Sequence, residues 1–220
     1  MQVKLWLKIG AVAVSVVAVG PLFAPNLMAF PYRAQVGRHQ VYSVTPLPPA
    51  IEGVVRIADS KVAASPSGSF RASDQSIFLT GGGWRWKWLA ATRQNSFAIT
   101  RAVNDAIIVN RADVANDEVH RRAMIGDRRS LSGVIAHEMT HASIRSHFGS
   151  MADWRYPSVL REGYCDFVAG EGSLTDAEAR ALLQQGAEHP ALAYWTGRKR
   201  IEGELGSNGY DIDRLFAEWR

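Results

Sequence analysis

Residues 131–145 read LSGVIAHEMTHASIR, and the longer stretch 130–148 contains no proline. Apolar residues recur in it at helical intervals, so one long helix is expected over 130–148. Inside it lies the HExxH run His137-Glu138-Met139-Thr140-His141. At about 100° per residue the two histidines fall about 40° apart on one helix face, one turn separated, which is the reach two imidazoles need to share a metal ion. Downstream, Pro157 can open a second helix reaching to about residue 169. It carries Leu160-Arg161-Glu162-Gly163-Tyr164-Cys165-Asp166 and so brings a carboxylate 21 residues after His141. Thr175-Asp176-Ala177-Glu178 is a capping box for a third helix.

Upstream the pattern changes. Ile51, Val54, Val55, Ala58 and Val62 keep helical spacing, predicting a helix over 50–64 that Ser65-Pro66-Ser67-Gly68 ends. Residues 76–80 (SIFLT) read as a strand stopped by Gly81-Gly82-Gly83, and 97–100 and 106–109 as a hairpin or two neighbouring strands. Residues 31–49 read as an extended linker that enters the fold as a strand around 41–44. Trp84-Arg85-Trp86-Lys87-Trp88 alternates aromatic and basic residues; as a strand it would put three indoles on one face, a packing stripe or else a sugar or lipid platform. Strands first and helices afterwards is an α+β pattern.

At 220 residues and 47% hydrophobic, the chain is long enough for one domain with a real core. Its formal net charge is +4, with 25 Lys+Arg against 21 Asp+Glu, too small an excess to mark a nucleic-acid binder. The single cysteine, Cys165, excludes an intramolecular disulfide and a cysteine-based zinc finger. Residues 9–32 carry no charge and follow Lys4 and Lys8, the layout of an uncleaved signal anchor or a signal peptide. The expectation is therefore a membrane or signal segment at 1–32 and one domain at 33–220 outside the cytoplasm, anchored or, after cleavage, secreted.

HExxH followed by Leu-x-Glu-Gly and Glu-x-x-x-Asp resembles the gluzincins, the thermolysin-like zinc metallopeptidases, over residues 131–166. The resemblance implies a zincin-like domain, with a small mixed sheet followed by the helices that carry HExxH and the downstream glutamate. It implies zinc as cofactor, His137, His141 and Glu162 as ligands, and Asp166 behind a ligating histidine. The spacing agrees, because Asp166 lies one turn beyond Glu162 and can accept the free ring N–H of His137. Three protein ligands leave a fourth position for water, and Glu138 then serves as general base in hydrolysis of a peptide or protein substrate. Tyr194-Trp195-Thr196-Gly197 resembles the Tyr-x-x-Gly segment that stabilises the oxyanion in the aminopeptidase branch, with His189 as its rival. The Gly-rich exopeptidase motif of that branch has no counterpart here. His147 is turned to another face, Cys165 reads as core packing, and Arg145 as solvating its helix. The alternative to an enzyme is a zinc-binding module that acts as a non-catalytic binder or chaperone at the membrane; the intact Glu138 argues for catalysis.

Overall fold

The computed structural model describes residues 20–70, 74–121 and 127–219. The protein is α+β, with a mixed five-stranded sheet, a small three-stranded sheet and helices concentrated in the second half. Tyr32–Val36 (β1) and His39–Ser43 (β2) form an antiparallel hairpin. β2 then runs parallel to Ser76–Leu79 (β3), and β3 parallel to Ile107–Val109 (β5). Ala98–Thr100 (β4) closes the order β1-β2-β3-β5-β4 as an antiparallel edge strand. Arg111–Asp113 (β6), Glu118–His120 (β7) and Arg128–Ser130 (β8) make the second sheet.

The helix expected over 50–64 is Ala50–Ala63 (α1), and its spaced apolar residues Ile51, Val54, Val55, Ala58 and Val62 are all buried. Residues 84–88 are not a strand: Trp84–Ala90 (α2) is a helix. The indoles therefore do not share a face, since Trp86 goes inward with Leu89 and Ala90 while Trp84 and Trp88 stay exposed. Residues 31–49 are less of a linker than expected, because β1 holds 32–36 in the sheet.

Leu131–Phe148 (α3) follows β8 directly. The hydroxyl of Ser130 accepts the Gly133 N–H at 3.0 Å, and Asp117 accepts both the Ser132 N–H at 2.7 Å and its hydroxyl at 2.6 Å, so the helix start is well satisfied. Every residue from Leu131 to Arg145 is buried, so α3 is a central helix rather than an amphipathic surface one. Polar residues on it find local acceptors: Thr140 donates to the Ala136 carbonyl and Ser143 to the Met139 carbonyl. Ala152–Arg155 (α4) leads to Ser158–Ala169 (α5), which begins after Pro157 and stops at Gly170, whose φ of 73° a side chain would strain. Lys61 of α1 donates to the last α5 carbonyl, Ala169, at 2.6 Å.

Asp176–Gln184 (α6) has the expected capping box on Thr175 and Glu178, and Pro190–Asn208 (α7) and Ile212–Glu218 (α8) complete the chain. A Cβ added at Gly163 of α5 would sit 3.0 Å from the carbonyl carbon of Gly197 on α7, so glycine lets these two helices touch backbone to backbone. Among the described residues no helix is long and apolar enough to cross a membrane. Most of the expected anchor, residues 1–19, lies outside the described residues.

Candidate metal centre

Two helices build the site. α3 presents His137 and His141 with ring centroids 5.0 Å apart, and α5 presents Glu162, Cys165 and Asp166. The Glu162 carboxylate straddles both imidazoles, one oxygen 3.2 Å from His137 Nε2 and the other 3.6 Å from His141 Nε2. Asp166 stands behind His137, with Oδ1 2.9 Å from Nδ1. That contact holds a proton on Nδ1 and turns Nε2 toward Glu162. His137, His141, Glu162 and Asp166, singled out by spacing and resemblance, are thus brought together.

The cluster is larger than the sequence suggested. Arg129, just before the α3 cap, donates to Asp166 Oδ1 at 3.1 Å and to Glu171 at 3.3 Å. Thr100, the last residue of edge strand β4, places its hydroxyl 2.6 Å from Glu138 Oε2 and 2.8 Å from the Glu138 carbonyl. One hydroxyl has one proton, so Thr100 donates to these oxygens in turn. Glu138 itself is buried.

Cys165 is fully buried, and a sulfur donor from it would lie with His137 and His141 inside a group whose atoms are all within 4.8 Å of one another. Burial pushes its thiol well above the ordinary range, and the nearby Glu162, Glu138 and Asp166 carboxylates push the same way. Burial also opposes the charge of Asp166, but the Arg129 guanidinium and the His137 hydrogen bond outweigh it and hold the carboxyl below its usual value. Glu162 is held well below the usual carboxylate range despite burial, by the His141 charge first and then by the hydrogen bonds from both histidines.

His137 is the opposite case. Burial alone would lower it, yet the hydrogen bonds and charges of Asp166 and Glu162 raise it to about 10. With no metal bound, the stability this gives is complete below the unfolded value of about 6.5. It is lost as pH rises through about 10. A metal ion bound through His137 would have to displace that proton, so if zinc binds there its apparent affinity should climb about tenfold per pH unit up to that value from this group alone. Competition titrations against a zinc-binding dye across neutral pH check the slope, and a flat profile would remove His137 from the ligand set.

The remaining residues fall elsewhere. Tyr194, in the first turns of α7, is 44% exposed, and no hydrogen bond ties it to the cluster, although Gly197 one turn on touches Gly163 beside Glu162. His189 caps α7, its Nδ1 accepting the Ala191 N–H at 3.2 Å. His147 is turned away, stacked on Phe70 at 3.8 Å and 2.6 Å from Asp213. Arg145 does not solvate its helix. It is buried, 2.7 Å from Asp105 in the β4–β5 turn and 3.1 Å from Asp153, and so pins the edge strand to α3. No protein-family model matches the chain, and neither a curated protein nor a solved structure matches it.

Proposed function

We propose that this protein is a membrane-tethered zinc peptidase with its catalytic face outside the cytoplasm. The observation that carries the reading is the Glu162 carboxylate bridging the outer nitrogens of both HExxH histidines, with Asp166 orienting His137 from behind. The antiparallel edge strand beside the HExxH helix supports a zincin-like domain.

His137, His141 and Glu162 would hold the metal, a donor set of two imidazoles and one carboxylate that suits zinc. When bound, zinc supplies a Lewis acid that polarises a peptide carbonyl and makes water a better nucleophile near neutral pH. Glu138 takes the proton from the attacking water and returns it to the leaving amine nitrogen. Thr100 holds the Glu138 carboxylate in place through its hydroxyl. β4 is the terminal strand of the five-stranded sheet, and an extended peptide would pair with its outer edge backbone to backbone, with little demand on side chains. Tyr194 is proposed to donate to the oxyanion that develops on the substrate carbonyl.

Purified full-length protein should hold about one zinc per chain. Chelation should abolish cleavage of a mixed peptide library, and added zinc should restore it. Cleavage that survives complete removal of the metal would overturn the reading.

A further inference from the structure

Helix α2 turns two of its three indoles to solvent. Trp84 is 59% exposed and Trp88 46%, one turn apart on one face, whereas Trp86 is buried with its ring N–H donated to the Gln94 carbonyl at 3.0 Å. Residues 22–30 lie alongside this helix. Arg85 donates to the Met28 carbonyl at 2.8 Å and the Ala29 carbonyl at 3.1 Å. At the other end of the helix Arg101 bridges the Leu89 carbonyl at 3.0 Å and the Leu22 carbonyl at 2.8 Å, and Asn104 donates to the Phe23 carbonyl at 2.7 Å. The two segments therefore run antiparallel and are clamped at both ends. On the N-terminal one, Met28 points into the core, while Phe23 and Leu27 are 57% and 63% exposed. Four large apolar side chains thus stand in solvent on two adjoining segments.

The charged residues of the two segments have one sign, and Asp105, next to Asn104, is engaged by Arg145 at 2.7 Å. No aspartate or glutamate occurs in residues 1–51 or in residues 75–104. Arg85, Lys87 and Arg93 supply cations beside the indoles, Lys87 and Arg93 exposed and the Arg85 guanidinium 4.7 Å from the Trp84 ring centre. The chain also reaches this place from the charge-free sequence 9–32, which leads straight into Phe23 and Leu27. Indoles, aliphatic groups and neighbouring cations are what the headgroup layer of an anionic bilayer accepts.

We propose that Phe23, Leu27, Trp84 and Trp88 form a platform that rests in the headgroup region of an anionic membrane and fixes how the domain sits on it. The inference rests on the tethering part of the reading above and not on its chemistry. Tethering alone leaves a domain free to turn, whereas a platform clamped to the core through Arg85 and Arg101 gives it one orientation.

The test reconstitutes the full chain, in a Trp6→Phe background, into vesicles of phosphatidylcholine and phosphatidylglycerol whose acyl chains carry bromine at shallow positions. Bromine quenches only indoles that touch it. The expected result is quenching that falls by most of its amplitude in Trp84→Ala/Trp88→Ala and is unchanged in Trp154→Ala, whose indole is 85% exposed on α4. Both replaced side chains are largely in solvent, so circular dichroism should show the fold retained. Flotation of the protein with the vesicles and quenching unchanged in the double variant would overturn the platform alone. Failure to float would overturn the tether as well.

Discussion

Glu138→Gln is expected to leave zinc bound and to cut peptide turnover by about 100- to 10,000-fold. Glutamine keeps the shape of glutamate, and its amide oxygen can still accept the Thr100 hydroxyl that lies 2.6 Å from the carboxylate. What it cannot do is take a proton from water. The carboxylate is buried on the helix that carries both histidines. Because Glu138 bridges neither imidazole, metal content and turnover should separate in this variant. Metal analysis and kcat measured on one preparation decide the matter, and near wild-type kcat would exclude Glu138 as the base.

The second large effect concerns the ligands. His137→Ala or Glu162→Ala should lower zinc affinity well beyond the about 10- to 100-fold expected for Asp166→Ala, which removes a partner of a ligand rather than a ligand. Glu162→Ala also strips His137 and His141 of the carboxylate they share. Cys165→Ser separates the two donor sets that the geometry offers, since the thiol lies in the same group of atoms. With glutamate as the third ligand, that variant should keep its zinc. A loss as deep as that of Glu162→Ala would put sulfur in the coordination set, and full zinc occupancy in His137→Ala would sink the metal centre altogether.

The parts of the fold that the sequence disclosed are those with a period or a local cap. Helix α3 and its two histidines follow from helical pitch alone, and the capping box of α6 needs only four residues. The strand at Ser76–Leu79 and the β4–β5 hairpin are apolar runs cut by turns. β1 was missed because most of it faces solvent and it is held by pairing with β2, not by a pattern of its own. The strands of the second sheet are three residues each, too short to show a period.

Residues 84–88 misled through their strict alternation. The helical signal was there too, in Trp86, Leu89 and Ala90 at i, i+3 and i+4, but it needed two residues beyond the repeat. In the site, the histidines and carboxylates were legible because two helices carry them at fixed spacing. Thr100 and Arg129 were not, since they meet their partners 38 and 37 positions away in the chain. Arg145 likewise has Asp105 40 positions away, and only the folded chain brings them together.

The burial of α3 on every side has a kinetic meaning. A helix buried from Leu131 to Arg145 is expected to open only when the surrounding layers open, so its amide hydrogens should exchange by the slowest, global route. His137 and His141 share that persistence. Glu162 sits on the other helix with about a quarter of its side chain in water, against about a tenth for either histidine. Local loosening that spares the rest of the domain is therefore expected to reach Glu162 before it reaches either histidine.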